Sequence, residues 1–428
     1  MLDIRLIRNN PEFVKDRLRC RNADPSAVDA WLEADTAWRA ATAEAETLQA
    51  QLNASSKNIG VLMREGRRDE AEAVKTANRE LGDRIAKLNE TARELDQKAT
   101  DLLYYIPNLP HESTPCGDEE NFQILKTVGE PKTFDFAPKA HWDLATDLGL
   151  IDFTRGAKVT GSGFVLFRGT GALLERGLIN YMLSMHVSRH GYTEWATPYF
   201  LSRDSMKASA HLAKFTPEMY HDAEDDLFAL PTSEPALINI HRDEILDGRD
   251  LPLKYTAYSP CWRREAGAAG KDTRGLLRVH QFDKVEMVRY TLPELSYQNM
   301  EELLTDSTDI LDALGLTYRI KLLAAGDISF SASKCYDVEV YAPGVDSWLE
   351  VSSCSNCEDF QSRQSNIRFR REPGAKPEFP HLLNCSGLAL PRLVAALLET
   401  YQQADGAVCV PEALQPFLGG MQVIRKEG

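Results

Sequence analysis

The stretch that decides the fold runs from Tyr258 to Val288 and reads YSPCWRREAGAAGKDTRGLLRVHQFDKVEMV. It starts at the end of an apolar run, 253–258, which predicts a strand, and from Leu276 the chain is predicted to be extended again. The loop between them is rich in Gly, Ala and Arg. Such a loop can hold a polyphosphate above a sheet, because arginines clamp phosphate oxygens bidentately and glycines let the backbone approach closely. A hairpin with a solvated charged loop is the alternative interpretation.

The order of residues in this segment favours the phosphate interpretation. It follows the pattern C-x-R-x-E-A-G-x-A-G-x-D-T-R-G-L-x-R-x-H-Q-F-x-K-V-E from Cys261 to Glu286. This pattern resembles motif 2 of the class II aminoacyl-tRNA synthetases, and specifically that of the seryl-tRNA synthetases. A match along a whole segment is far more specific than a short motif.

The resemblance implies an ATP site and assigns roles to individual side chains. Arg263 would bind the α-phosphate, Arg278 would meet the γ-phosphate, and Glu265 would accept a hydrogen bond from the adenine amino group. Phe282 would stack on the base. With Arg392, the two arginines Arg263 and Arg278 would form the catalytic set, acting by positioning and charge neutralisation. The ATP-binding positions implied are Arg263, Arg264, Glu265, Arg278, Val279, Phe282, Glu350, Val351, Ser352, Ser353 and Arg392.

Three further segments resemble the serine-binding parts of the family. Thr232-Ser233-Glu234, within ALPTSEPALI, resembles the loop that holds serine, although a serine or threonine before an apolar run equally suits a helix cap. Glu286 would face the same amino acid, since a buried carboxylate needs a cation or a donor. Ser386, in the motif 3 segment 384–392 (NCSGLALPR), would also contact serine.

Glu350-Val351-Ser352-Ser353 matches the family's E-V-S-S. A carboxylate beside hydroxyl groups suits Mg²⁺ that bridges ATP phosphates, because magnesium prefers hard oxygen ligands. We therefore expect Glu350 and Ser353 to hold Mg²⁺ through the phosphates. No zinc is expected, because Cys354 and Cys357 form a single C-x-x-C and a structural zinc site needs about four ligands.

The chain departs from the family pattern at several positions. Cys385 and Pro391 stand where motif 3 normally has glycine, and Cys357 and Arg264 also replace usual residues. The segment 209–215 lacks the family's Gly-Gln and Pro. Each proposed ligand position nevertheless keeps the expected side chain.

The N-terminal part predicts an antiparallel two-helix coiled coil. Apolar and small residues recur at heptad spacing from Trp38 to Leu62 and again from Val74 to Leu102, on either side of a break at 65–68. Each helix would have roughly 35 residues and a length of about 50 Å. Asn78 lies in the predicted seam, where it would help to fix the register. A dimerisation or spacer coil is one interpretation; the resemblance instead implies an arm that contacts the long variable arm and elbow of tRNA.

Pro107 and Pro110 predict the end of the second helix, because proline removes a backbone donor and disfavours helix before it. We expect an N-terminal tRNA-binding domain at 1–110, a connector at 111–121 and a catalytic domain at 122–428. Predicted strands in the last part alternate with predicted helices, without the glycine-rich motifs of dinucleotide-binding folds or P-loops. The predicted class is α+β, with a mixed or antiparallel sheet flanked by helices. The predicted strands are 164–167, 253–258, 285–290, 318–323, 335–341 and 348–351, and the predicted helices are 173–190, 235–247, 293–314 and 391–403.

The segment 173–199 resembles motif 1, with a long helix, a turn and a strand that ends at Pro198. In this family the element forms a homodimer interface, which is the partner we expect, whereas an amphipathic core helix is the plainer interpretation.

Composition sets wider bounds. The formal net charge is −15, so any tRNA contact requires a local basic surface. Arg64, Arg67 and Arg68 cluster near the predicted helical turn. The eight cysteines are scattered along a long chain, which favours free thiols in a reducing compartment. No signal-peptide core or bilayer-length apolar run is visible, so we expect a cytoplasmic protein without a membrane partner.

The resemblance covers essentially the whole chain and implies a serine–tRNA ligase. Serine would attack the α-phosphate of ATP to form seryl-adenylate, and the 3′ end of tRNA(Ser) would then take the seryl group. The family also charges tRNA(Sec) where one exists. Two alternatives stay open from the residues: a specialised or non-catalytic tRNA-binding paralogue, and a ligase that loads a carrier protein, whose known relatives lack the long arm.

Overall fold

The computed structural model describes residues 1–214, 216–265 and 274–426. It divides into two compact units. One comprises Leu2–Arg19 and Ala23–Pro107, and the other comprises Met1, Cys20–Asn22 and the chain from Asn108 onward. Part of the glycine-rich loop of motif 2 and Phe215 lie outside the described residues.

The first unit is helical, and its main element is the predicted hairpin. Glu44 pairs with Arg84, and Ser56 accepts a 3.4 Å hydrogen bond from Asn78, so the two long helices run antiparallel. The chain reverses at 65–67 between them, as the heptad break predicted. Both helices are slightly longer than predicted, with 39 and 37 residues. The helices are α1 (Ile4–Asn9), α2 (Pro11–Cys20), α3 (Ser26–Arg64) and α4 (Arg68–Tyr104).

The seam of this hairpin is thinly packed. Small and aliphatic side chains such as Ala45, Leu48, Ala71 and Ile85 are buried along it, whereas most other positions of the two helices remain exposed. Alanine permits close approach of the helices but buries little apolar area. The exposed Asn78 contact is therefore a weak register determinant.

The second unit is built on an eight-stranded sheet with the order β1-β9-β10-β11-β13-β8-β7-β2. All neighbouring pairs are antiparallel except β2 with β7. The prediction of a mixed or antiparallel sheet is confirmed, and the sheet is mixed because of the pair β2–β7. Its strands are β1 (Gln123–Val128), β2 (Thr193–Glu194), β7 (Leu253–Trp262), β8 (Gln281–Thr291), β9 (Tyr318–Leu322), β10 (Lys334–Ala342), β11 (Ser347–Asn356) and β13 (His381–Ala389).

Seven short strands complete three small sheets: β3 (Phe200–Ser202), β4 (His221–Asp222), β5 (Leu227–Ala229), β6 (Ile245–Asp247), β12 (Arg368–Arg370), β14 (Val408–Cys409) and β15 (Val423–Ile424). The helices of this unit are α5 (His141–Asp147), α6 (Phe153–Val159), α7 (Thr170–Ser188), α8 (Arg203–Ala208), α9 (Glu234–Asn239), α10 (Ser296–Ala313), α11 (Phe360–Gln364) and α12 (Leu390–Tyr401). No helix in the described ranges is both long and apolar enough to cross a bilayer.

The main core lies where α7, α10 and α12 pack on the large sheet. Leu178, Leu303 and Leu397 are fully buried there against strand residues such as Val338 and Met287. Burial on this face leaves the polar side chains of the central strands to project from the opposite face. That opposite face forms the floor of the site described below.

Two structural expectations were wrong, and one central strand was not predicted. The predicted helix 235–247 ends at Asn239, because Asp243 adopts a left-handed conformation (φ 64°) and the chain then forms β6. The predicted strand 164–167 contributes only an isolated bridge between Phe167 and Ile151. Residues 381–389, for which no strand was predicted, form β13, which is a central strand.

The cysteine expectation also needs correction. Cys20 and Cys116 form a disulfide bond, so not all eight thiols are free. Their backbones are neighbours, since the amide of Gly117 donates a 2.9 Å hydrogen bond to the carbonyl of Cys20. The other six cysteines are free thiols, and five of them are buried.

Candidate active site

A cleft of about 930 Å³ opens on the polar face of the large sheet. It brings together segments that lie far apart in the sequence, including 231–234, 276–286, 350–353 and 384–392. The predicted site residues that line it are Thr232, Glu234, Arg263, Glu265, Arg278, Val279, Phe282, Glu286, Glu350, Val351, Ser353, Ser386 and Arg392.

Three predicted residues do not line this cleft. Ser233 is fully buried and its hydroxyl contacts that of Ser259 at 2.6 Å. Arg264 lies over the ring of Tyr220 and donates to the carbonyl of Met219 at 2.9 Å. The Ser352 hydroxyl donates to the carbonyl of Ser386 at 2.7 Å. These side chains support neighbouring segments from behind.

We call the more exposed part of the cleft, around Arg263, Arg278 and Arg392, its wide end, and the buried part around Lys284 and Glu286 its narrow end. The arginines of motif 2 donate to local acceptors at the wide end. Arg278 donates to Glu265 at 3.3 Å, and the two side chains are 42% and 23% exposed. Arg263 lies 5.2 Å above the ring of Phe282 and donates to the carbonyl of Pro231 at 3.3 Å. Contacts of this kind are weak in water. The guanidinium groups can therefore exchange them for phosphate oxygens at little cost.

Arg392 approaches the same end from motif 3. It donates to the carbonyl of Leu277 at 3.1 Å and to the carbonyl of Glu350 at 3.0 Å. One residue thus ties the start of α12 to both motif 2 and β11. The carboxylate of Glu350 lies 3.5 Å from the Arg392 guanidinium, and its side chain is 45% exposed. It therefore remains available to a cation.

The floor next to Glu350 is acidic. Asp337, on the neighbouring strand β10, is 8% exposed and also lines the cleft. Burial raises the pKa of Asp337 well above its usual range, and the nearby charge of Glu350 raises it further. A cation beside these carboxylates would relieve both effects. Sequence reasoning did not single out Asp337, although its strand position faces the predicted Glu350-to-Ser353 segment.

The narrow end of the cleft contains a buried charge pair. Glu286 and Lys284, two residues apart on β8, are in direct contact, with side chains 3% and 7% exposed. Lys284 also donates to the Thr232 hydroxyl at 2.7 Å, and that hydroxyl lies 3.2 Å from Glu286. Lys284 was missed as a site residue. Its spacing from Glu286 would have revealed it, because residues i and i+2 share one face of a strand.

Glu234 forms the wall beside this pair. Gln361 donates to it at 2.6 Å, and its other oxygen lies 3.7 Å from His211. Burial raises the pKa of Glu234, whereas burial lowers the pKa of His211 to about 4. His211 is therefore neutral at physiological pH. It belongs to the 209–215 segment whose departure from the family pattern was noted, but its place in the cleft was not predicted.

Motif 3 contributes Ser386, which pairs directly with Glu286 across β13 and β8. The carbonyl of Ser386 accepts from Ser307 at 2.9 Å, so the backbone here is held from the core side. The ladder between the two strands shifts after Ser386 and resumes at Ala389. A bulge of this type can redirect side chains toward a site.

The two unusual residues of motif 3 occupy different environments. Cys385 is fully buried and lies opposite Cys354 on β11, away from the cleft lining. Pro391 lies in the first turn of α12, where proline is well tolerated. Neither replaces a polar group that lines the cleft.

Comparison with known proteins identifies the family. Residues 1–110 match the family model "Seryl-tRNA synthetase N-terminal domain", and residues 215–401 match "tRNA synthetase class II core domain (G, H, P, S and T)". The chain is 49% identical over 427 residues to a serine–tRNA ligase from Roseiflexus sp., with 100% of both chains covered. It is 48% identical over 425 residues to a serine–tRNA ligase from Listeria welshimeri, with 99% of each covered.

A solved structure agrees with these matches over the whole chain. The crystal structure of seryl-tRNA synthetase from Pyrococcus horikoshii complexed with ATP has a TM-score of 0.95, with 36% identity and 100% of both chains covered. The fold, the two family models and the full-length relatives thus agree with the resemblance of motif 2, and the chain belongs to the seryl-tRNA synthetases, the class II aminoacyl-tRNA synthetases that ligate serine to tRNA.

Proposed function

We propose that the cleft activates serine with ATP and then passes the seryl group to the 3′ end of tRNA. The observation that carries this proposal is the convergence of three separate motifs on one cleft, with arginines at its wide end and a buried carboxylate at its narrow end. ATP is long and polyanionic and fits the wide end. Serine is small and carries an ammonium group and a hydroxyl, which fit the narrow end.

At the wide end, Arg263 binds the α-phosphate and stabilises charge as the serine carboxylate attacks. Arg278 binds the γ-phosphate and Arg392 lies beside the nucleotide. Glu265 accepts from the adenine amino group and Phe282 stacks on the base. Val279 and Val351 supply apolar walls, whereas Arg264 and Ser352 act through the segments they support. Catalysis then comes from positioning and preorganised charge.

The residues of the acidic floor fit Mg²⁺ that arrives with ATP. Glu350 offers an exposed carboxylate and Ser353 a hydroxyl, and both are hard oxygen donors. When bound, Mg²⁺ would neutralise phosphate charge. Glu350 and Ser353 would hold and orient the triphosphate on this side, while the arginines hold it on the other.

At the narrow end, Glu286, Glu234 and Thr232 offer acceptors for the serine ammonium and hydroxyl. Ser233 and Ser386 complete the serine-binding set, Ser233 by fixing the loop and Ser386 by facing Glu286. A site of this kind rejects alanine and glycine, because its buried polar groups would be left unpaired when the hydroxyl is absent.

We also propose the domain roles. Residues 1–110 would form the tRNA-binding domain, 111–121 the connector and 122–428 the catalytic domain. The protein would act as a cytoplasmic homodimer on tRNA(Ser), and on tRNA(Sec) where the cell has one. Dimerisation through motif 1 is supported by four large apolar side chains on and after α7 that are 37–52% exposed: Val187, Trp195, Tyr199 and Phe200.

The decisive experiment is serine-dependent pyrophosphate–ATP exchange. Exchange with serine, and not with alanine or threonine, is expected. A folded protein without exchange would refute the catalytic proposal and favour a tRNA-binding paralogue. Deletion of 53–87 should leave exchange intact and abolish tRNA charging; equal charging by the shortened protein would refute the role of the arm.

A further inference from the structure

The buried pair at the narrow end includes a cation that the proposed reaction does not use. Lys284 projects from β8 into the cleft and is 6% exposed. Burying an ammonium group is costly unless it is paired and hydrogen-bonded. Here both conditions are met, since Lys284 contacts the Glu286 carboxylate and donates to the Thr232 hydroxyl at 2.7 Å.

The acceptors of Lys284 are those that the proposed function assigns to the substrate. The Glu286 oxygen that contacts Lys284 is also the one that lies 3.2 Å from the Thr232 hydroxyl. An amino acid brings a primary ammonium of the same charge and the same donor geometry. Lys284 and serine therefore compete for one carboxylate oxygen.

We propose that Lys284 is a positioning residue that keeps Glu286 ionised and orients Thr232 before serine enters, and that the ammonium of serine then replaces Lys284 on the shared oxygen. This inference rests on the proposed serine site. In the absence of serine, the ammonium of Lys284 takes the place of the serine ammonium and holds Glu286 and Thr232 in position.

Other charged groups around Glu286 do not remove the need for this cation. Burial raises the pKa of Glu286, Lys284 lowers it, and the carboxylate of Glu234 raises it again. Without Lys284, burial and Glu234 would both raise the pKa of Glu286, and of the groups that lower it only the Thr232 hydroxyl would remain. The titratable and charged groups near Glu286 are Lys284 on its own strand, Glu234 at the start of α9, His211 in the short helix 211–213, and Cys261 and Arg263 at the end of β7.

The test is the pH dependence of the KM for serine in pyrophosphate exchange, from pH 6 to pH 8.5, for the wild type, Lys284→Met and Lys284→Gln. Loss of the cation raises the pKa of Glu286, so the acidic limb of the profile moves to higher pH in both variants. If the acidic limb of a variant lies one pH unit above that of the wild type, its KM for serine should be about ten-fold higher than the wild-type KM at pH values below both acidic limbs. The ratio of the variant KM to the wild-type KM for serine should fall toward one at pH 8.5.

Lys284→Gln separates charge from hydrogen bonding, because its amide can still donate to Thr232. If the acidic limb of the KM profile of Lys284→Gln lies at the same pH as that of the wild type, the positive charge of Lys284 does not keep Glu286 ionised, and the proposal is overturned. A KM ratio that is equal at every pH would indicate a merely structural role and would also overturn the proposal. If Lys284→Met fails to fold, Lys284→Gln carries the same test.

Two controls accompany these variants. Lys254→Met removes a partly buried lysine of β7 whose ammonium donates to the carbonyl of His190 at 3.3 Å, and it should leave the pH profile unchanged. The KM for ATP should stay close to the wild-type value in all variants, because Lys284 is not among the proposed ATP contacts. Wild-type exchange with serine reports on the proposed function separately, so an active wild type with an unmoved limb contradicts only the role of Lys284.

Discussion

The two ends of the cleft hold their charges in opposite ways. At the narrow end, Lys284 and Glu286 are 7% and 3% exposed and already paired. At the wide end, Arg278 and Glu265 are 42% and 23% exposed, and Arg392 and Glu350 are 29% and 45% exposed. A buried charge needs a partner in the folded protein before the ligand binds, whereas water stabilises an exposed charge until then. The charge pair of the narrow end therefore forms when the protein folds, whereas the arginines of the wide end find their main partners when the ligand binds.

The largest expected effect is on the narrow end. Glu286→Ala leaves Lys284 buried without its carboxylate, which should lower the free energy of unfolding by about 3–5 kcal/mol. Urea unfolding measures this. Serine-dependent exchange should be lost as well.

A matched pair of variants makes this comparison sharper. Glu294→Ala breaks an exposed ion pair with Arg371, whose side chains are 50% and 44% exposed, and should cost less than about 1 kcal/mol. Lys284→Met combined with Glu286→Ala should recover part of the lost stability, because no charge is then left unpaired. Equal losses for Glu286→Ala and Glu294→Ala would remove the distinction between the two kinds of pair.

The second effect is catalytic and belongs to the wide end. Arg263→Ala should reduce kcat/KM for exchange by about 10²–10³-fold, the usual loss when one preorganised donor to developing charge is removed. The free energy of unfolding should change little, because Arg263 has only weak local contacts. Arg371→Ala, remote from the cleft, is the control for loss of an arginine. A large loss of stability in Arg263→Ala would place this residue with the narrow end instead.

The third effect is a pH dependence of the narrow end. His211 has its pKa lowered to about 4 by burial, so the unfolded chain takes up a proton near pH 6.5 while the folded protein does not. Folded stability at His211 is therefore complete above pH 6.5 and is lost as pH falls toward 4. Between pH 7.5 and pH 5 the loss is about 2 kcal/mol.

His211→Gln should remove that part of the pH dependence. Urea unfolding at pH 7.5 and pH 5 checks this, with His221→Gln as the control for an exposed histidine near an aspartate. An unchanged difference between the two pH values in His211→Gln would show that His211 titrates normally in the folded protein.

The smallest effect lies outside the cleft, at the turn of the helical hairpin. Arg67 pairs with Glu65 and Glu70, and its side chain is 50% exposed. Arg67→Ala should leave both the free energy of unfolding and serine-dependent exchange nearly unchanged, because exposed ion pairs contribute little to stability. A change in exchange would mean that an exposed pair in the arm influences the catalytic cleft.

The sequence predicted the parts of this fold that repeat a pattern. The heptads of the hairpin and most strands of the large sheet were identified, because heptad spacing or an apolar run persists over several residues. The strand β13 was missed, since a buried run that contains Gly387 and a following proline looks like a loop before a helix. The pairing of Cys20 with Cys116 was also missed, because nothing local marks two cysteines that folding brings together.

The site residues also divide into those that a sequence motif predicted and those that depend on contacts between distant segments. Motif resemblance placed most cleft residues, because the catalytic groups lie in three long, recognisable segments. It did not predict that Arg264 and Ser352 turn away, as backbone direction decides which neighbour faces the cleft. Lys284, His211 and Asp337 were missed because each acts through a partner from another segment.

Pro391 fixes the direction in which α12 begins. The amide hydrogens in the first turn of a helix have no acceptor within that helix, so a proline there gives up no bond. Its ring also presets the backbone angle from which α12 begins. Proline is therefore accommodated at this corner, and the arginine that follows still reaches Leu277 and Glu350. The residue that departs from the family pattern thus leaves Arg392 in position beside motif 2 and β11.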